Sequence, residues 1–298
     1  MDLVFTIILD GLIYASWLFI VALGLTLVFG VLRILNFAHG GLYALGCYGA
    51  AVATAWFSEA GLDGWFSLVA MFLAAVAVAV VFAPVIERGL LRFFYGRDEV
   101  LILLITYSVF LMLEDVTKLI FGVDPYYVFE PRNLLGAVSM GSLFYVGYDL
   151  ALIGLAFVCG FGVWFGLNRT RIGKITLAVI AEPEVSRAMG VNVGRIYLLA
   201  FGVGVFLAAL GGAFTSPLIS VQPGISVSVI IVSFAVVIIG GLGSIPGAAI
   251  GALVVGLARS FAVYEFPEAE IFIVYFVMVA VLIFRPEGLF TPVKARKI

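Results

Sequence analysis

Charge is what this sequence has least of. Asp, Glu, Lys and Arg make up 11% of its 298 residues, whereas AVILMFWYC make up 64%. A soluble domain carries about 25% charged residues, and a chain this apolar has too little polar surface to cover itself in water. Histidine occurs once, as His39, and cysteine twice, as Cys47 and Cys159. A zinc protease helix needs two histidines and a thiolate site needs clustered cysteines, so no metal site is expected. Both cysteines fall inside apolar runs and read as small core residues. No Gly-x-Ser-x-Gly turn surrounds any serine. The one Gly-Lys pair, Gly173-Lys174, is followed by Ile175 and lacks the glycine five residues earlier that a phosphate-binding loop requires. The chain is therefore not expected to be an enzyme or to hydrolyse a nucleotide itself. With 16 basic against 18 acidic residues and a basic run only at the C-terminus, nucleic acid is not an expected partner.

What is present is a series of long apolar runs. A spanning helix needs about 20 apolar residues, and runs at 5–29, 42–57, 65–86, 100–120, 149–167, 196–215, 226–240, 247–262 and 271–284 supply them. The expected fold is all-α, a polytopic transmembrane helical protein of about 8–9 membrane segments, with broken or re-entrant elements near 34–41 and 240–247. Residues 1–298 read as one membrane domain, since no extramembrane stretch is long enough to bury its own core. The first run lacks preceding basic residues and exceeds signal-peptide length, so a retained first helix is expected.

Basic residues collect on cytoplasmic loops. Here Arg33, then Arg88, Arg92 and Arg97, then Arg169, Arg171, Lys174, Arg187 and Arg195, and finally Arg285, Lys294, Arg296 and Lys297 fall on one side of the alternating spans. Only Lys118, Arg132 and Arg259 fall on the other. This puts the N-terminus outside and the C-terminus in the cytoplasm.

Helices in lipid associate through small residues, and Gly247, Gly251, Ala252 and Gly256, with Gly162 and Gly166 earlier, are the expected close-packing sites. Glu114 and Lys118, with Asp115 adjacent, read as an ion pair snorkelling toward the outer interface. The middles of the spans are almost free of charge, which argues against proton- or sodium-coupled transport. No group there marks a site for a carboxylate or an ammonium.

Two polar interruptions stand out. Asn36-Phe37-Ala38-His39-Gly40-Gly41 breaks the pattern between the first two runs; it reads either as a turn with Asn36 capping the second helix or as a kinked helix in a permeation path. The second, about 182–190, has Pro183 at a first helical position, Glu184 in the first turn and Gly190 as a left-handed cap, delimiting a short helix. Val185, Ala188 and Met189 form an apolar stripe on it, which fits either a membrane surface or a groove in a partner.

Ala22-Leu23-Gly24-Leu25-Thr26-Leu27-Val28-Phe29-Gly30 followed by Asn36-Phe37-Ala38-His39-Gly40 resembles the start of the permeases of branched-chain amino acid ABC importers. Gly240-Gly241-Leu242-Gly243-Ser244-Ile245-Pro246-Gly247 and Arg285-Pro286-Glu287-Gly288-Leu289-Phe290 resemble that family's later signatures. The resemblance implies a subunit of the bacterial inner (plasma) membrane, surrounded by lipid, that pairs with a second homologous permease. It further implies two cytoplasmic ATPase subunits and an external substrate-binding protein as partners, with ATP and Mg held by the ATPases and no cofactor on this chain. Glu184, Val185, Ser186, Arg187, Ala188, Met189 and Gly190 resemble the importer coupling motif Glu-Ala-Ala-x-x-x-Gly, with Val185 and Ser186 in place of the alanines. On this reading Asn36, Phe37, His39, Gly40 and Gly41 lie near the path, the two glycines letting the backbone bend. The solute is a branched-chain amino acid or a related small polar molecule. The rival expectation is a secondary transporter or channel that works without ATP.

Overall fold

The computed structural model describes residues 2–141 and 143–290. Its elements in chain order are α1 (Asp2–Leu32), α2 (Ala38–Glu59), α3 (Trp65–Gly89), α4 (Glu99–Phe121), a one-turn α5 (Glu130–Asn133), β1 (Ala137–Met140), β2 (Leu143–Val146), α6 (Gly147–Arg169), α7 (Arg171–Ala181), α8 (Pro183–Ala188), α9 (Val193–Thr215), α10 (Ile225–Gly240), α11 (Ile245–Glu265) and α12 (Glu270–Phe284). The nine apolar runs all become helices, with ends within a few residues of the expected ones. The two strands form a small antiparallel hairpin outside the bundle, pairing Ala137 with Val146 and Met140 with Leu143. The sequence did not announce it.

Among the described residues, seven helices are long and apolar enough to cross a bilayer, against the eight or nine expected. The exceptions are α10, at 16 residues, and α2, whose 22 residues include four glycines and His39. α2 begins at the level of the middle of α1, where His39 meets Val21, and lies there against the first turns of α10 at Ser226 and Ile230.

Apolar on every side, α1 has no polar face to offer solvent or lipid headgroups, so it belongs in the centre. Leu18, Ile20, Val21, Ala22 and Leu23 are fully buried, and α1 packs against α6, α9, α10 and α11. Its 31 residues extend to ~46 Å at 1.5 Å per residue. Close approach depends on glycine. A Cβ on Gly212 of α9 would lie 2.1 Å from the Tyr43 carbonyl of α2, and one on Gly256 of α11 would lie 2.4 Å from that of Gly11. Gly247 and Gly251 likewise admit the backbone of α10. Gly162 and Gly166 do not behave as expected: the space a Cβ would take on either is open. Both line an apolar recess against α3 and α9, and the tight contact falls instead on Gly173, which admits the Gly166 carbonyl.

The turns sort into two ends. At one, the Ser58 hydroxyl donates to Glu130 at 2.8 Å, Arg132 pairs with Asp149 at 2.9 Å, and Tyr126 and Val221 exchange backbone hydrogen bonds. At the other, the Arg285–Phe290 segment hydrogen-bonds the end of α10 through Leu289 N to Ile239 O and Phe290 N to Gly240 O. The basic residues at 33, 88–97, 169–195 and 285 lie at this second end. Lys294, Arg296 and Lys297 are outside the described residues.

Glu114 does not snorkel. Its carboxylate accepts Gly224 N at 2.8 Å and the Ser226 hydroxyl, stapling α4 to the start of α10, and it also forms the expected ion pair with Lys118 at 3.9 Å. A buried carboxylate takes backbone N–H and hydroxyl donors because leaving it bare is costly.

Candidate coupling site and translocation segment

The segment 169–195, read from sequence as one basic loop, contains two helices. Thr170 caps α7 by accepting Gly173 N at 3.0 Å, and Gly173, Thr176 and Val179 recur on its buried face. That spacing was the available signal, hidden among Arg171, Lys174 and the exposed Ile172, Ile175 and Leu177. Val179 then joins Val193 and Ile196 of α9 in a small core of its own.

α8 follows after Glu182. Pro183 stands at its first position and Glu184 in its first turn. Gly190 ends the segment with φ 86°, the left-handed conformation glycine adopts freely. The helix proper is six residues, close to two turns. Ser186 is its buried contact, whereas Val185 is 58% exposed and Met189 79% exposed. Arg187 and Ala188 are exposed as well. The short helix thus turns its apolar stripe away from the protein, while α7 and α9 hold it from behind.

A polar cavity of about 810 Å3 separates α8 from the end of α3. Glu87, 1% exposed, lines it. Its Oε1 accepts the Tyr95 hydroxyl at 2.9 Å, and its Oε2 has no partner. Burial, reinforced by the Glu87 carboxylate, pushes the Tyr95 phenol well above its ordinary range, which keeps it a proton donor. The Tyr95 ring meets Tyr197 of α9 edge-on at 5.1 Å. A continuous contact therefore runs from the core behind α8, through Tyr197 and Tyr95, to α3. Neither Glu87 nor Tyr95 was singled out in the sequence.

The first interruption is a true break. α1 ends at Leu32, Arg33 has φ 58°, and regular helix resumes at Ala38. The freed backbone finds partners on α4, where Thr106 Oγ1 donates to the Leu35 carbonyl at 3.0 Å and accepts Phe37 N at 3.3 Å. Asn36 does not cap α2; the cap position is Phe37, with no side-chain bond. Asn36 is fully buried, and neither its Oδ1 nor its Nδ2 has a partner. The Phe37 ring lies between Phe234 at 4.7 Å and Tyr107 at 5.8 Å. His39, fully buried, donates Nε2–H to the Val21 carbonyl at 2.9 Å, which fixes the tautomer, and Nδ1 is unpartnered. Gly40 and Gly41 stand within the first turn of α2, not in the bend. They admit α10 at Ser226 and Ile230, and α4 at Leu113.

The Gly240–Gly247 turn meets both other glycine-bearing strings. Gly243 packs against Gly30, and Gly241, at φ 104°, packs against Phe290. Ser244 caps α11 by accepting Gly247 N at 3.1 Å. Strings separated by more than 200 residues thus converge at the end that also carries α8.

A family model described as branched-chain amino acid transport system, permease component, matches residues 7–282. The high-affinity branched-chain amino acid transport system permease protein BraD of Pseudomonas aeruginosa is 29% identical over 95% of this chain and 94% of its own length. LivH of Escherichia coli, of the same description, is 25% identical over 94% and 93%. The ribose import permease protein RbsC of E. coli is 26% identical over 81% of this chain and 73% of its own. Among solved structures, PsaBC from Streptococcus pneumoniae in complex with Fab has a similar fold, with a TM-score of 0.50 and 13% identity over 93% of this chain and 91% of that one.

Proposed function

The chain belongs to the family of permease components of branched-chain amino acid transport systems, and on that premise we propose how its geometry serves ATP-driven import. It is a multi-pass membrane transport subunit, not an enzyme. In our reading residues 1–298 act as one permease domain. It forms half of a path whose other half comes from a homologous permease, and receives a branched-chain amino acid or a related small polar solute from an external binding protein.

The observation that carries the reading is the outward-facing stripe of α8. Val185 and Met189 are exposed on a short helix backed by the Val179, Val193 and Ile196 core, which suits a rigid projection seated in a partner's groove. The partner we assign is a cytoplasmic ATPase that holds the ATP and Mg, with Glu184 to Gly190 as the coupling segment. Movement of that segment would pass to α9 and, through Tyr197 and Tyr95, to Glu87 of α3. The clustering of basic residues at the same end supports a cytoplasmic location for α8, with the N-terminus outside and the C-terminus inside.

We place Asn36, Phe37, His39, Gly40 and Gly41 near the path. Support comes from the broken backbone at 33–37 and from the buried, unpartnered amide of Asn36, which is costly unless a second state gives it a partner.

The test is uptake of L-leucine into vesicles carrying the full complex, with ATP supplied on the ATPase side. Uptake should require ATP and disappear in Val185→Asp/Met189→Asp. Leucine uptake by vesicles that lack the ATPases would favour the secondary transporter or channel instead.

A further inference from the structure

A cavity of about 470 Å3 opens near the end opposite to α8, a volume within the range of small-molecule sites. One wall is aromatic and continuous. The guanidinium carbon of Arg259 on α11 lies 4.2 Å from the centre of the Tyr14 ring. Tyr14 meets Trp17 edge-on at 4.9 Å, and Trp17 lies 6.3 Å from Tyr43. Val229 and Val232 of α10 provide an aliphatic surface. The Ser220 hydroxyl, also in the lining, is buried without a partner. Glu114 holds the loop entering α10, and so this rim of the cavity, by its bonds to Gly224 and Ser226.

Among the residues that line it, Arg259 alone is charged, and no carboxylate faces it. Glu270 accepts from one terminal nitrogen of Arg259. A guanidinium has five N–H donors, and this side chain remains one-third exposed at 34%. The group is thus held in place from one side with donors to spare. Arginine binds carboxylates through paired donors. The half-buried Trp17 ring suits an ammonium group, and the valines suit a short aliphatic chain.

We propose that this cavity is a solute subsite of the permease, in which Arg259 receives the carboxylate of a small zwitterion while the aromatic and aliphatic walls take its remainder. This assignment rests on the permease reading above and adds to it the group recognised and the residue that recognises it. The sequence concealed the site, because Arg259 counted there only as one of three basic residues on the sparsely basic side, and its partners come from α1, α2 and α10.

The experiment uses the full complex in vesicles with its binding protein and L-leucine as probe. Losing a charge-assisted bond should cut ATP-driven uptake in Arg259→Gln by about tenfold or more, with Arg259→Lys intermediate. Glu270→Gln, which keeps the guanidinium but loosens its anchor, should lose clearly less uptake than Arg259→Gln. Ser228→Trp, which puts a bulky ring into the cavity and leaves Arg259 in the sequence, should cut uptake as well. Stimulation of ATP hydrolysis by loaded binding protein should survive in Arg259→Gln, a readout that a merely structural role of Arg259 would move. Wild-type uptake in Arg259→Gln, or equal losses in Arg259→Gln and Glu270→Gln, would overturn the assignment and leave the permease reading standing. A wild-type complex that takes up no leucine under ATP would overturn both.

Discussion

His39 Nε2 lies 2.9 Å from the carbonyl oxygen of Val21, so the chain's one imidazole fastens the start of α2 to the middle of α1. The ring fits only because Gly24 has no side chain, since a Cβ there would stand 2.9 Å from His39 Cε1 and 2.7 Å from the Gly204 carbonyl. Three helices are thus locked at one level just beyond the break. Replacing His39 with Leu keeps an apolar body and removes the bond. The expected cost is about 1 kcal/mol, visible as a lower melting temperature of the detergent-purified chain. An unchanged melting temperature would mean that the bond contributes nothing to holding α1 and α2 together.

Glycine positions that look alike in sequence should respond in opposite ways. Gly212→Ala puts a methyl 2.1 Å from the Tyr43 carbonyl and 3.1 Å from Cys47 N, both backbone atoms that can move only with α2. Overpacking of this kind costs roughly 1–3 kcal/mol or more, and the yield of monodisperse protein should fall sharply. Gly162→Ala enters open space within a helix. It should be neutral, or stabilising by about 0.5–1 kcal/mol. Comparing the two variants by size-exclusion profile and thermal stability checks both outcomes.

The nine apolar runs were legible because bilayer thickness imposes a length that composition alone reveals. Pro183, Glu184 and Gly190 were legible because helix ends follow local backbone rules. What stayed hidden depended on partners distant in sequence. Glu114 and Lys118 form the ion pair their spacing allows, but nothing local shows that Glu114 is also held by Gly224 and Ser226, more than 100 positions away. Gly162 and Gly166 carry the small-residue spacing of a helix contact, yet spacing says only that close approach is allowed, not that a helix arrives. α7 was missed because its buried face is made of Gly173, Thr176 and Val179, which are small or half-polar and lie between basic residues.

Tyr95→Phe isolates the contact that joins α9, behind α8, to α3. Loss of the hydroxyl leaves buried Glu87 with no donor, at a cost of roughly 1–3 kcal/mol. In the assembled transporter, ATP hydrolysis should continue while leucine uptake falls, lowering the solute moved per ATP. A ratio equal to wild type would show that force does not travel through this contact.

The most direct measurement is photo-crosslinking from position 189. A photoreactive residue replacing Met189 in the full membrane-embedded complex should form a covalent adduct with an ATPase subunit, with a yield that changes on addition of ATP. The same residue at Trp56, exposed at the opposite end of the bundle, should form none. Adducts from position 189 with lipid alone, in a complex that still transports, would contradict the account.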